Sequence, residues 1–267
     1  MKIILYNPYS KKNKSIKIVN KIVKKEKCPY YDITKLDIKD FLDEHPDDEF
    51  LIIGGDGTMH HLANDLDGSE INSDIYLYRG GTGNDFSRDF GKKEKHILVN
   101  EYIKSVPHAS FNDSKEGFIN GCGIGLDALV CYYTETSKTK SFFRSTIKGF
   151  FKYRPIKGTI IVDGVKHEFN KMYLASIMNG KYEGGGMKMS PKSDRLDDFL
   201  EVVVIHNISK LGLLFCFPLI YKGWHIIKKK SVTILQGKCI EIISNDNNYM
   251  QLDGELQYNI KRVVAKK

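Results

Sequence analysis

Two short glycine-rich segments hold the residues best suited to chemistry in this chain. The first is Gly54-Gly55-Asp56-Gly57-Thr58, and the second, soon after it, is Gly80-Gly81-Thr82-Gly83-Asn84-Asp85. Glycine lets backbone N–H groups approach a bound oxygen closely, and a helix N-terminus favours negative charge, so such turns hold phosphate. Two of them in one short stretch point to a nucleotide polyphosphate. A carboxylate among N–H donors would repel that ligand unless Mg²⁺ lay between them, which makes Asp56 a metal-facing candidate. Neither the pattern G-x-x-x-x-G-K-[ST] nor a G-x-G-x-x-G after a strand occurs, so this is another way of holding a nucleotide.

Further candidates lie outside these loops. The turn Asn7-Pro8-Tyr9-Ser10, followed by Lys11, closes the first apolar run of the chain. Near the other end stands Asp253-Gly254-Glu255. Asp-Gly is a strong signal for a tight hairpin, and Asp163-Gly164 is read that way. The second pair differs in being followed by a carboxylate, and phosphoryl transfer to an alcohol needs a base near the acceptor hydroxyl. Asp194-Arg195-Leu196-Asp197-Asp198-Phe199 reads either as an exposed acidic loop or as a set of oxygen ligands for a hard ion. The eight histidines form no metal or catalytic set. The five cysteines are scattered without a C-x-x-C pair, which fits reduced, buried thiols.

These residues need elements to position them. The run Phe50-Leu51-Ile52-Ile53 reads as a buried strand, and Met59, Leu62, Ala63 and Leu66 follow at helical spacing. Residues 2–6 and 74–78 read as two more strands, with a lysine-rich helix carrying Ile16, Val19, Ile22 and Val23 after the first. Strands alternating with helices predict a parallel sheet with ligands at the strands' carboxyl ends, where all three turns fall. After about residue 110 the pattern changes to strands at 158–165, 172–177, 200–205, 239–243 and from 250 onward, with one helix between 141 and 151. The fold expected is α/β plus β. Residues 1–110 form a parallel-sheet nucleotide-binding domain and 111–267 an antiparallel β-rich domain, with the site in a cleft between them and a last strand able to return to the first.

Bulk properties narrow the partners. The chain has 267 residues, 41% of them hydrophobic and 28% charged, as expected of a globular protein. A net charge of +8 suits an anionic partner: a nucleotide, nucleic acid or an anionic membrane face. No nucleic-acid recognition motif is present. The start carries no secretory pattern, and residues 211–221, the longest apolar stretch, fall short of the roughly 20 a spanning helix needs, so the expected location is cytoplasmic. That stretch, followed by Trp224 and three lysines, reads first as a core segment. Its second reading is an apolar patch rimmed by cations that meets anionic lipid.

The two glycine loops, with Phe86-Ser87-Arg88 after the second, resemble the diacylglycerol kinase catalytic-domain family. That family includes sphingosine and bacterial lipid kinases and is more distantly similar to NAD kinases and phosphofructokinases. The resemblance extends along the chain. Asn7-Pro8-Tyr9-Ser10 matches the first nucleotide loop, and residues 120–128 match the motif opening the second domain. Asn179-Gly180 with Gly184-Gly185-Gly186 and residues 191–200 match the next signature, and Leu252-Asp253-Gly254-Glu255 the last.

The resemblance implies a two-domain kinase using ATP and Mg²⁺. Asn7, Pro8, Tyr9, Ser10 and Lys11, with Gly54, Gly55, Asp56, Gly57 and Thr58, would cradle the phosphates. Thr82 would contact the nucleotide, and Asn84 and Asp85 would support their loop and line the acceptor side. Glu255 would be the proton acceptor, and Asp253 would hold Mg²⁺ together with Asp56. A structural Mg²⁺ would sit on the Asp197 side chain and the carbonyls of Asp194 and Phe199. Two positions depart from the family pattern: Lys11 stands where glycine is usual, and Arg79 where proline is usual.

The implied activity is γ-phosphate transfer to a lipid hydroxyl, with diacylglycerol giving phosphatidic acid, at the inner face of an anionic membrane and with room for a homodimer. Competing readings are a kinase for a sphingoid base or a prenol, and a nucleotide-binding membrane sensor without turnover.

Overall fold

Three strands build the centre of the first sheet: β1 (Lys2–Tyr6), β3 (Glu49–Gly54) and β4 (Asp74–Arg79). Phe50, Leu51, Ile52 and Ile53 are fully buried, as a strand covered on both faces must be. The sheet order is β2-β1-β3-β4-β5, with β2 (Tyr30–Asp32) and β5 (His96–Leu98) at the edges. Every pairing is parallel except β4 with β5, which is antiparallel. The two edge strands span three residues each, too short to show a period, and the sequence reading misses both. The structure is a computed structural model and describes residues 1–10, 15–81, 83–91, 94–137 and 142–267.

Helices cover this sheet where the apolar spacing predicts them. α1 (Ser15–Glu26) buries Val19 and packs Ile16, Ile22 and Val23 against Ile4, Leu51 and Ile53. α2 (Ile38–Asp43) starts with the Asp37 carboxylate accepting the Asp40 N–H, a standard N-cap. α3 (Asp56–Asp65) buries Met59, Leu62 and Ala63 on one face. α4 (Asp85–Arg88) and α5 (Asn100–Ile103) are single turns. Because β1, β3 and β4 run the same way, the turns that follow them emerge at one edge of the sheet.

The chain divides into two compact units, Met1–Val106 and Pro107–Lys267. The second is antiparallel throughout. Its strands are β6 (His108–Phe111), β7 (Ser114–Gly117), β8 (Gly121–Gly125), β9 (Ile156–Val162), β10 (Val165–Met178), β11 (Leu200–His206), β12 (Val232–Gly237), β13 (Cys239–Leu252) and β14 (Glu255–Lys266). The order is β12-β11-β10-β8-β13-β14-β6-β7, with β9 pairing both β10 and β13. β10 and β13, 14 residues each, both pair β9 with their first halves and β8 with their second. They wrap the sheet around a core that includes Phe118, Ile124, Ile160, Met172 and Ile242. β14 pairs with β13 and β6, so the last strand stays in this sheet and does not join the first.

α6 (Leu126–Thr136), α7 (Phe142–Lys152) and α8 (Lys210–Lys222) complete the unit. The predicted hairpin at Asp163-Gly164 is present, and Asp253-Gly254 makes the same turn. Both pairs have φ near +48° and then near +88°, the left-handed pair a two-residue type I′ turn requires.

Candidate active site

In the first unit the two glycine loops pack backbone on backbone. The Gly80 N–H donates to the Gly54 carbonyl at 2.9 Å. A Cβ on Gly81 would stand 2.5 Å from the Gly55 Cα, so neither residue tolerates a side chain. Asn84, held at φ +56°, closes the second loop by accepting the Gly81 N–H and donating to the Gly81 carbonyl, each at 3.0 Å. Asp56, first residue of α3, accepts the Phe86 N–H at 3.0 Å and so ties α3 to the start of α4. Asp85, the residue before Phe86, is buried, and its carboxylate lies 3.6 Å from the Arg88 guanidinium.

The first turn joins the same cluster. The Asn7 side chain donates to the Thr58 hydroxyl at 3.0 Å, and the Ser10 hydroxyl lies 3.4 Å from it. Asn7 also accepts the Tyr9 N–H on its side chain and the Ser15 hydroxyl on its carbonyl, which locks the turn to the start of α1. Thus Asn7, Ser10, Gly54, Gly55, Asp56, Thr58, Asn84 and Asp85 come together, with Pro8 and the exposed Tyr9 in the turn. Lys11 and Thr82 lie outside the described residues. Gly57 is different from its neighbours: a Cβ there would meet nothing within 4 Å. Packing does not demand glycine at that point, and a helix interior disfavours it. The Arg79 guanidinium donates to the carbonyls of Ser87 and Gly91 and so braces α4.

The second unit holds the remaining candidates. Glu255 opens β14, paired with Leu252 across the Asp253-Gly254 turn. Asp253, expected to face a metal, is engaged by the main chain. One carboxylate oxygen accepts the Ile119 N–H at 2.6 Å, and the other accepts those of Asn120 at 2.7 Å and Gly121 at 3.1 Å. With both oxygens engaged by main-chain donors, Asp253 fastens the hairpin to the start of β8. Asp163 does the same in its own turn, accepting from Lys238 and Cys239. The segment 119–121 is also held by Asn179, which donates to the Ile119 carbonyl at 3.1 Å, and by Arg195, which donates to that carbonyl and to the Asn120 side chain.

Residues 194–199 are mostly exposed, as the loop reading expects, but Arg195 within them is buried. It is only 8% exposed, and Gly180 is glycine because a Cβ would collide with its guanidinium. Around it the three groups expected to surround a structural ion do gather, but on a side chain. The Lys267 ammonium donates to the carbonyls of Asp194 at 3.1 Å and Phe199 at 3.4 Å and lies 3.6 Å from the Asp197 carboxylate. The Asp194 and Asp197 carboxylates each also accept an N–H two residues on, from Leu196 and Phe199. An ammonium with three donors already satisfies these oxygens, so the donor set does not fit a second cation. Lys267 lies too far along the chain for spacing alone to link it to the acidic loop.

One cluster escapes the sequence reading. Gln251 donates to Asp127 at 3.3 Å and to Glu183, and the Ser176 hydroxyl donates to Glu183 at 2.6 Å. Burial pushes the Asp127 carboxyl up to about 6. The cluster's sequence signal was Asp127, two residues after the last glycine of β8 and within the 120–128 segment that resembles the family motif. Beside it a cavity of about 300 Å³ is lined by residues including Gly125, Leu129, Tyr153 and Tyr249.

The chain joins a parallel-sheet unit with paired glycine loops to an antiparallel β-rich unit, and comparison with known proteins gives its family. Residues 2–108 match the model for the diacylglycerol kinase catalytic domain, and residues 121–264 match that for the YegS C-terminal NAD kinase beta sandwich-like domain. The chain belongs to the diacylglycerol kinase catalytic-domain family.

Among its relatives is the diacylglycerol kinase of Mycobacterium tuberculosis, 25% identical over 192 residues. That match covers 67% of this chain but only 62% of the relative's length. The diacylglycerol kinase of Bacillus subtilis is 24% identical over 222 residues, covering 78% of this chain and 71% of its own. The crystal structure of a diacylglycerol kinase from Bacillus anthracis superposes with a TM-score of 0.62 at 18% identity, covering 100% of this chain and 93% of that one. At that identity the likeness is one of fold.

Proposed function

We propose that this protein is an ATP- and Mg²⁺-dependent lipid kinase that converts diacylglycerol to phosphatidic acid. The observation that carries the reading is the backbone packing of Gly55 on Gly81, with Asp56 and Asn84 fixing the two loops. Membership of the family supports it independently. In this reading the N–H groups of residues 55–58 hold the polyphosphate at the N-terminus of α3. Gly57 leaves room for that approach, and Asn7 and Ser10 orient Thr58. The family resemblance assigns Lys11 and Thr82 to the nucleotide as well.

Asp56 is the group for Mg²⁺, since a carboxylate among N–H donors offers the oxygen ligand a hard ion takes. When bound, Mg²⁺ supplies neutralisation of charge on the transferring group. Glu255 accepts the proton of the lipid hydroxyl while that oxygen bonds to the γ-phosphorus and the bond to the β–γ bridging oxygen breaks, releasing ADP. Asp253 positions Glu255 by anchoring its hairpin to residues 119–121.

The test is transfer of labelled γ-phosphate to diacylglycerol, a sphingoid base and a prenol in mixed micelles. Label in phosphatidic acid alone supports the reading. Label in another acceptor replaces diacylglycerol, and nucleotide binding without transfer to any of them overturns the kinase reading in favour of a sensor.

A further inference from the structure

α8 is apolar on every side. Leu213, Cys216 and Ile220, at helical spacing, are buried beneath it. The opposite side presents Leu211, Leu214 and Phe215, and Trp224 and Ile227 follow just after; Phe215 is 67% and Ile227 73% exposed. Lys210 donates to the Phe151 carbonyl at 2.8 Å, which sets exposed Phe151 at the end of α7 beside this ridge. A helix apolar all round is ordinarily covered all round, and a contiguous exposed apolar patch marks a contact surface.

The chain segments that build the patch carry charge of one sign. Residues 202–240 contain no Asp or Glu, and neither do residues 136–162. Lys210, Lys222, Lys228, Lys229 and Lys230 are all exposed beside the ridge. The Lys222 ammonium stands 4.7 Å from the centre of the Trp224 ring. A second copy of this face would set these cations against like charges. An anionic lipid surface complements both parts, with apolar side chains at the acyl boundary and lysines among the headgroups.

We propose that α8 and residues 223–230 form the surface by which this protein docks on an anionic bilayer. The purpose of docking rests on the lipid-kinase reading, whereas its geometry does not. Among the described residues no helix is long and apolar enough to cross a membrane, so the face would lie in the interface plane.

Trp224 is the only tryptophan, which makes its fluorescence a direct probe. The full chain is mixed with vesicles of phosphatidylcholine and phosphatidylglycerol, and with phosphatidylcholine alone. Its emission moves to the blue with the anionic vesicles, and it floats with them in a way that raised salt weakens. The variant Leu214→Asp/Phe215→Asp, at exposed positions, loses about tenfold or more of that binding, and Lys229→Glu/Lys230→Glu loses it preferentially at low salt.

Unchanged Trp224 emission, or full binding by both variants, overturns the proposal. So does a blue shift that appears on concentrating the protein without lipid. Transfer to a short-chain, water-dispersed diacylglycerol is followed in parallel. Its retention in Leu214→Asp/Phe215→Asp supports a docking role, and its absence in every protein overturns the kinase reading alone.

Discussion

The Lys267 ammonium lies 3.6 Å from the Asp197 carboxylate, within a group of oxygens suited to a divalent ion. A side chain therefore provides the positive charge that holds residues 194–199 to the end of β14. Burial lowers the Lys267 pKa while Asp197 opposes the shift, as for an ammonium drawn into a protein cage. Without nucleotide, the melting temperature of the protein is expected to be the same in EDTA and in Mg²⁺. Lys267→Met leaves two carbonyls and a carboxylate without their cation, so this variant is expected to melt lower and to regain stability with Mg²⁺ or Ca²⁺. A wild-type protein stabilised by Mg²⁺ alone, with the gain lost in Asp197→Asn, would contradict this.

The glycines of the phosphate loops separate into two kinds. Gly81→Ala forces a Cβ against the Gly55 backbone and is expected to cost about 1–3 kcal/mol of stability. Gly57→Ala meets no atom and removes glycine from the first turn of α3, so stability should rise by roughly 0.5–1 kcal/mol. Nucleotide affinity should fall in the same variant. Denaturant titration and calorimetric ATP binding measure the two effects, and a Gly57→Ala protein with undiminished affinity would argue against backbone contact there.

Much of this architecture was legible and some was not, for reasons that can be named. Residues 50–53 form a central strand, and their unbroken apolar run said so. β8 gave no such signal, because Gly121, Gly123 and Gly125 have poor strand propensity. They are glycines because a Cβ at Gly123 would stand 2.5 Å from the Ala175 carbonyl of β10. The clustering of the glycine loops followed from their place after parallel strands. The engagement of Asp253 by three amides did not, since Asp-Gly-Glu reads the same whether its Asp faces a metal or a neighbouring strand. Arg195 and Lys267 act on segments distant in the chain, and no local pattern reveals that.

Asp253 and its amide partners allow a second separation of roles. Asp253→Asn keeps the shape but turns an N–H group toward main-chain donors, at an expected cost of about 2–3 kcal/mol. As a positioning residue it should lower turnover while leaving the Mg²⁺ concentration for half-maximal rate unchanged. A large rise in that concentration would restore Asp253 to the metal site.

Asp127 predicts a pH dependence. Its carboxyl is raised from 3.8 to about 6 by burial, with Gln251 and Glu183 facing it. The folded state therefore holds this proton where the unfolded chain has released it. That contribution is complete below about pH 4 and is lost as pH rises through about 6, a change of up to about 3 kcal/mol. Asp127→Asn removes the ionisation, so relative to wild type it should gain stability between pH 4.5 and 7.5. Parallel pH–stability curves for the two proteins would show that the carboxyl titrates normally.

The central claim is that Glu255 accepts the proton of a lipid hydroxyl during phosphoryl transfer. The most direct measurement is transfer from ATP–Mg²⁺ to diacylglycerol in mixed micelles by wild type and Glu255→Gln, with ATP affinity determined for both. The account predicts unchanged ATP affinity and a fall in turnover of about 10²–10⁴-fold in the variant. Equal turnover in the two proteins would contradict it.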